Sequence, residues 1–273
     1  ALATALEKRC TERGVDIRVG VTVTKIDTQG GSVSGVRLDT GEFIAADIVV
    51  SNSDATLTRD LLSQPDQKLM PKITDSPSLA GFVLLLALDG TTEGIAHHNV
   101  WFPENYNAEF DAIFARSPTP PNDPAIYACV PEDPQMRPSP DCESWFILVN
   151  APRHDSSGEN GFNWNTPGYK EQYAQQVLDA LAARGTDIRP RVKWQEIRTP
   201  ADLERDAMAP GGSIYGTSSN GPRAAFTRPA NQSNIPGLYL VGGSSHPGGG
   251  LPLVGMGAEI TAELIGRAEK PSP

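Results

Sequence analysis

The sequence is poor in cysteine. Its 273 residues include three cysteines, Cys10, Cys129 and Cys142, whose spacing matches no metal-binding motif. An odd number of thiols is not a disulfide framework, although a Cys129–Cys142 bridge stays open as an alternative. We therefore expect a reducing compartment, the cytoplasm.

Long apolar runs and basic residues are also scarce. The longest apolar run, residues 81–88, is strand length and falls well short of the ~18 residues of a membrane-spanning helix. There are 23 basic and 33 acidic residues, a formal net charge of −10. This balance disfavours nucleic acid as a partner and gives no electrostatic attraction to anionic lipid. Apolar contact with a membrane surface stays open.

The first fifty residues predict a helix followed by strands. Leu2, Leu6 and Cys10 recur at four-residue spacing, and Gly14 ends this helix. Residues 15–19 alternate between apolar and polar, as a strand does. The sequence then predicts an antiparallel meander at 21–26, 35–38 and 42–44. It predicts a buried strand at 47–50.

From about residue 55 the pattern changes. Apolar content and periodicity predict helices at 55–62 and 169–184 and strands at 80–89, 145–150 and 192–197. Thr199-Pro200-Ala201-Asp202 has the residues of a capped helix start. The proline-rich stretch 103–143 predicts a long irregular loop, and such loops are usually functional or mobile.

The last forty residues contain the strongest signal. Residues 238–241 predict a buried parallel strand, and five of the next nine residues are glycine. Pro252 suits the first turn of a helix that continues from residue 254 to 267. A strand, a glycine loop and a helix N-terminus together predict a site for an anionic or electron-rich ligand, because the free N–H groups and the helix dipole point towards it.

These residues resemble the C-terminal flavin-binding motif of the carotenoid desaturase (phytoene dehydrogenase-like) family of FAD-dependent oxidoreductases. The resemblance is carried by GLYLVGG at 237–243, HPGGG at 246–250 and LPLV at 251–254. Similar segments lie upstream at 199–205, 214–216 and 226–229.

The resemblance implies an α/β fold, the C-terminal part of a two-dinucleotide-binding-fold FAD oxidoreductase. No Gly-x-Gly-x-x-Gly loop follows an early strand, so we expect the N-terminal βαβ unit of that fold to be missing from this chain. Residues 1–54 and 200–273 would form a partial FAD-binding domain. Residues 55–199 would form an inserted α+β substrate domain with a mixed or antiparallel sheet and helices.

The resemblance also implies which residues bind FAD. It places the backbone of Val23 near the adenine, and the flavin against the glycine loop and the helix that follows it. Gly243 stands where many related flavoproteins have an acid, and Ser244 offers a hydroxyl instead. No catalytic residue is assigned. The expected cofactor-binding residues are Val23, Gly242, Gly243, Ser244, His246, Gly249, Gly250, Leu251, Pro252, Leu253 and Val254.

The implied activity is FAD-dependent desaturation, acting on the CH–CH groups of a linear carotenoid such as phytoene or a hydroxylated derivative, by hydride transfer to flavin in carotenoid biosynthesis. The implied partners are an apolar polyene and a membrane contacted peripherally, with no nucleic acid and no metal. Two alternatives stay open. One is another flavoprotein of this fold, such as an amine oxidase, a carotenoid oxygenase or an isomerase. The other is a truncated, non-catalytic module that binds lipid or a partner.

Two smaller features concern side chains of the predicted substrate domain. His97 and His98 are adjacent, and neighbours on a strand face opposite ways, so the sequence favours a pocket wall over a metal site. An aromatic segment fits equally well as the lining of an apolar channel or as core packing. Its members are Trp101, Phe102, Tyr106, Phe110 and Phe114.

Overall fold

The computed structural model describes residues 2–62, 77–216, 218 and 228–267. It begins with helix α1, Leu2–Glu12, which ends before Gly14 at a φ of +78°. A left-handed residue at this point is usual at a helix end and favours glycine. The predicted first helix is confirmed.

The predicted meander is also confirmed. Strands β1 (Val23–Gln29), β2 (Ser32–Leu38) and β3 (Phe43–Ala45) form an antiparallel sheet in that order. The strand predicted at 15–19 is wrong, because these residues pair with no strand in the described part of the chain. Val15, Ile17 and Val19 are all exposed there. Alternating apolar residues form a strand only where a backbone partner is available.

A parallel strand pair joins the beginning and the end of the described chain. Strand β4 (Val49–Ser51) pairs with strand β10 (Leu238–Leu240), with Leu238 opposite Val49 and Leu240 opposite Ser51. Leu238 and Leu240 are fully buried against apolar side chains of the meander. This confirms the predicted buried parallel strand.

The middle of the chain forms a five-stranded antiparallel sheet. Its strands, in spatial order, are β6 (His98–Trp101), β7 (Ile126–Cys129), β8 (Cys142–Ala151), β5 (Ala80–Asp89) and β9 (Val192–Arg198). Helix α4, Tyr169–Ala183, buries an apolar stripe with Tyr173, Val177 and Leu181 in the core of this sheet. The packing of an amphipathic helix on one sheet face gives an α+β layer.

The proline-rich stretch 103–143 is more regular than predicted. It contains helix α3, Tyr106–Ile113, strand β7 and a short 3-10 helix at Pro134–Met136. The buried carboxylate of Glu109 explains part of this order. It accepts hydrogen bonds from the Ala125 N–H and the Asn150 side-chain amide, both at 2.5 Å, and so ties α3 to the sheet. Composition alone did not reveal this contact.

Three further helices position the C-terminal strand pair. Helix α2, Ala55–Asp60, follows β4, and helix α5, Pro200–Ala207, follows β9. The capping box predicted at Thr199 and Asp202 is present. Helix α6, Leu251–Ile265, follows β10 with Pro252 in its first turn, as expected. Within the described residues, every helix is too short or too polar to cross a bilayer.

Candidate functional site

A cavity of about 260 Å³ lies beside the carboxyl ends of the parallel strands. Asn52 directly follows β4, and Gly243 comes three residues after the end of β10; both line the cavity, so both strand ends open towards it. In α/β sheets, ligands bind in the crevice outside the carboxyl ends of the strands. The lining residues are Asn52, Asp54, Leu203, Ala207, Ala209, Gly212, Ser213, Ile214, Gly216, Gly243 and Ser244.

The glycines of the loop differ in the space that a side chain would find. Gly242 has a φ of +98°, and a Cβ there would lie 2.5 Å from Asn52 Oδ1. A Cβ on Gly243 would lie 3.4 Å from the Gly249 Cα. Gly250 has a φ of +99°, and a Cβ there would meet no atom within 4 Å. The loop therefore presents backbone towards open space beside Gly250.

Helix α6 begins at this loop without a side-chain cap. Gly250 is its N-cap and supplies no side-chain hydrogen bond. The first N–H groups of a helix have no intrahelical partner, and they carry the positive end of the dipole. Such an end is a ready site for an anionic or electron-rich group.

Two side chains fix the backbone of the loop by donating hydrogen bonds to its carbonyl groups. Arg228 donates from Nη1 to the carbonyl oxygens of Tyr215 and Gly243, at 3.0 and 2.8 Å. Asn231 donates from Nδ2 to the carbonyl oxygens of Leu240 and His246, at 3.0 and 2.9 Å. The sequence reasoning gave neither residue a role, although segment 226–229 carries the family resemblance. Residues 226 and 227 lie outside the described residues.

Two polar groups at the cavity come from the loop and from the β4–α2 turn. Ser244 Oγ accepts a hydrogen bond from the Ala55 N–H at 3.1 Å. The Asp54 carboxylate caps α2 by accepting from the Thr56 N–H at 2.8 Å, and it also lines the cavity. An acid therefore does lie at the cavity, at the N-cap of α2 rather than at position 243. The sequence could signal it only as an N-cap residue.

The remaining predicted cofactor-binding residues fall into three groups. The segment from Leu251 to Val254 forms the first turn of α6. His246 is exposed and is held in the loop through its backbone N–H, which donates to the Pro229 carbonyl. Val23 begins β1 in the separate meander and is not among the residues that line the cavity. Its predicted contact with adenine stays a prediction.

A second cavity, of about 240 Å³, adjoins the first. Ser78 lines the second cavity and Ser213 the first, and their hydroxyl oxygens lie 2.7 Å apart. Most of the lining residues are apolar, but the wall exposes about as much polar as apolar surface. Its charged member is Arg153. Burial lowers the pKa of Arg153, and the charges of Asp155 and Glu204 oppose this shift. The lining residues are Pro77, Ser78, Leu79, Ile113, Phe114, Ala115, Pro118, Arg153 and Asn160.

The aromatic residues between 101 and 114 do not share one role: core packing and cavity lining are both represented. Trp101 packs on Trp145, with ring centroids 6.3 Å apart, and so belongs to the sheet core. Phe114 lines the second cavity. Phe102 and Tyr106 are exposed and pack edge to face, with Tyr106 in turn against Phe110.

The expected geometry of the two adjacent histidines is wrong. The ring centroids of His97 and His98 lie 4.5 Å apart, so the side chains converge instead of facing opposite ways. His97 precedes the first residue of β6, and the alternation of a strand does not yet apply to it. Cys129, on the neighbouring strand, is close to both.

Comparison with known proteins identifies the family of the chain. The flavin-containing amine oxidoreductase family matches residues 1–252. The chain belongs to this family. The expected FAD cofactor is thus confirmed at the level of the family.

The three free cysteines leave the alternative of a Cys129–Cys142 bridge unsupported.

Carotenoid-pathway enzymes are among the relatives. The 4,4'-diaponeurosporene oxygenases of Staphylococcus aureus strains USA300 and MW2 are each 32% identical over 276 residues, which covers 98% of this chain and 54% of theirs. The chain thus spans about half the length of these relatives. An oxidoreductase structure from Methanosarcina mazei aligns with a TM-score of 0.59 at 19% identity, over 95% of this chain and 53% of that one. This similarity supports the fold alone.

The described residues fit a bound flavin. Open space lies beside Gly250 at the uncapped N-terminus of α6, and the free N–H groups there would meet an electron-rich ring edge. Residues 243, 244 and 250–254 would hold the ring. Arg228 would keep the loop in the conformation that leaves this space open.

Proposed function

We propose that the protein is an FAD-dependent oxidoreductase that desaturates a linear carotenoid. One observation carries the proposal: the glycine loop after β10 opens at the carboxyl edge of the parallel pair, beside the uncapped N-terminus of α6. A bound FAD would supply the hydride acceptor that side chains cannot provide. The N–H groups of α6 would stabilise the negative charge that grows as hydride arrives, more strongly in the transition state than before it.

The second cavity supports an uncharged substrate. Six of its nine lining residues are apolar, and its charged member is the cationic Arg153. An amine substrate that is protonated in solution would be repelled by this guanidinium. A polyene end would instead bury apolar surface against Leu79, Ile113 and Phe114. This argument favours a hydrocarbon over the amine-oxidase alternative.

Oxygenation of a carotenoid is the second candidate, and the S. aureus relatives favour it because their names describe an oxygenase. The two reactions share an apolar substrate and a flavin. They differ in the product, since desaturation removes two hydrogens for each double bond and oxygenation adds oxygen. The mass of the product therefore separates them.

The test uses purified full-length protein reconstituted with FAD and given phytoene or a partly desaturated linear carotenoid in liposomes. We expect anaerobic bleaching of the flavin absorbance and a product lighter by two hydrogens. A product that gains labelled oxygen from ¹⁸O₂ would support the second candidate instead. A protein that stays free of flavin at saturating FAD would contradict both and leave the non-catalytic module.

We further propose that the protein is cytoplasmic and contacts the membrane peripherally through the exposed aromatic side chains of Phe102 and Tyr106. A carotenoid dissolves in the bilayer, so a surface next to the substrate domain has to reach it. Aromatic rings partition well at the headgroup level. The net charge of −10 argues for apolar contact over electrostatic attraction.

This surface predicts a specific loss of vesicle binding. Phe102→Ser should lower co-sedimentation with neutral phosphatidylcholine vesicles by about tenfold, since burying one phenyl ring contributes roughly 1.5–3 kcal/mol. Phe43→Ser is the matched control, because Phe43 is also exposed but lies on the meander. Equal binding by the Phe102→Ser variant and the wild type would contradict the proposed surface.

A further inference from the structure

His97, His98 and Cys129 form a compact group at the edge of the five-stranded sheet. Each residue offers one ligand atom, and the three atoms lie within 4.8 Å of one another. The backbone holds the group together, because His98 is the register partner of Cys129 and the His97 carbonyl accepts from the Val130 N–H at 2.8 Å. None of the three lines either cavity described above.

We propose that these three side chains bind a zinc ion. Two imidazoles and a thiolate are a donor set that selects zinc or a similar transition metal over magnesium or calcium. With Zn–N near 2.0–2.1 Å and Zn–S near 2.3 Å, tetrahedral ligand atoms lie about 3.3–3.6 Å apart. Small side-chain rotations at this exposed edge would bring the three atoms to that spacing.

A neighbouring hydroxyl supports the site. The Tyr127 hydroxyl lies 2.8 Å from His98 Nδ1, and the two rings stack. Zinc-binding histidines usually form such a hydrogen bond through the nitrogen that does not bind the metal, which orients the ring.

The proposed metal would link two strands at an edge of the sheet. Strand β6 has four residues, and its Val100 is exposed. Short edge strands fray easily, and exposed edges pair with other chains unless they are protected. A zinc ion held by β7 and by the beginning of β6 would fasten this edge. Three protein ligands leave a fourth position for water.

The experiment titrates zinc chloride into chelator-treated protein kept reduced with a phosphine, against a fluorescent zinc indicator. We expect one zinc per chain, and a cobalt-substituted protein with a thiolate-to-cobalt charge-transfer band. Cys129→Ser should abolish this band and weaken zinc binding by at least about tenfold. His98→Gln should also weaken binding. Cys142→Ser is the matched control, since Cys142 is a half-buried strand residue outside the group.

Thermal unfolding gives a second, independent readout. Zinc should raise the Tm of the wild type and of Cys142→Ser, because a ligand that binds only the folded state stabilises it. It should not raise the Tm of Cys129→Ser. Zinc binding that is equal in the wild type and in Cys129→Ser would overturn the proposal. The absence of binding at equimolar zinc and protein would do the same.

Discussion

Gly242→Ala should abolish detectable FAD binding at cofactor concentrations that saturate the wild type. At a φ of +98° an alanine costs about 1–2 kcal/mol, and its Cβ would lie 2.5 Å from Asn52 Oδ1. Rotation of the Asn52 side chain relieves the contact, but only a movement of the loop backbone relieves the unfavourable φ. That movement would displace residues 243, 244 and 250, which are among those that would hold the flavin. The measurement is flavin fluorescence on titration with FAD.

Two variants separate the causes of this loss. Gly242→Ala combined with Asn52→Ala removes the contact but keeps the unfavourable φ, so we expect FAD binding to return in part. Gly255→Ala is the matched control, since a Cβ there meets no atom within 4 Å inside helix α6. It should bind FAD as the wild type does, and its free energy of unfolding should be about 1 kcal/mol higher. Normal FAD binding by Gly242→Ala would mean that the loop does not hold the cofactor.

The sequence predicted those elements whose signal is local. The helix stop at Gly14, the capping box at Thr199 and the strand before Gly242 all depend on neighbours within a few residues. The prediction failed where a distant partner decides. Residues 15–19 alternate like a strand but have no strand beside them among the described residues. The Glu109 carboxylate orders a stretch that its proline content marked as irregular.

The candidate site shows the same division between local signals and distant partners. The glycines of the loop could be recognised because their spacing matches a known motif. Arg228 and Asn231 could not be given a role from the sequence, because they act on carbonyl groups that only the folded chain brings within reach. Convergence of His97 and His98 with Cys129 likewise depends on the pairing of β6 with β7. Pairing between strands is the information that a single sequence carries least directly.

Glu143→Ala should be the most destabilising single change in the five-stranded sheet outside its apolar core, lowering the free energy of unfolding by about 3 kcal/mol. The buried Glu143 carboxylate accepts from the Thr92 N–H at 2.8 Å, the Thr92 hydroxyl at 2.7 Å and the Trp145 indole N–H at 3.1 Å. Arg191 lies 3.6 Å away. Alanine would leave several buried donors without an acceptor.

The contribution of the Glu143 carboxylate to stability should depend on pH in a defined direction. Burial alone would raise the pKa of Glu143, but the hydrogen bonds from Thr92 and Trp145 and the charge of Arg191 outweigh it, and the pKa is lowered. A lowered pKa in the folded state adds stability above the unfolded-state pKa of about 4.3, and that stability is lost as pH falls through the folded-state pKa.

The difference in stability between the wild type and Glu143→Gln should therefore be constant near neutral pH and shrink below about pH 4. Urea unfolding at a series of pH values measures it. Glu93→Ala is the control, because the exposed Glu93 side chain should contribute less than about 0.5 kcal/mol. A difference that grows on acidification would show that Glu143 is protonated in the folded protein. The carboxylate would then not be the acceptor that joins Thr92, Trp145 and Arg191 to the sheet.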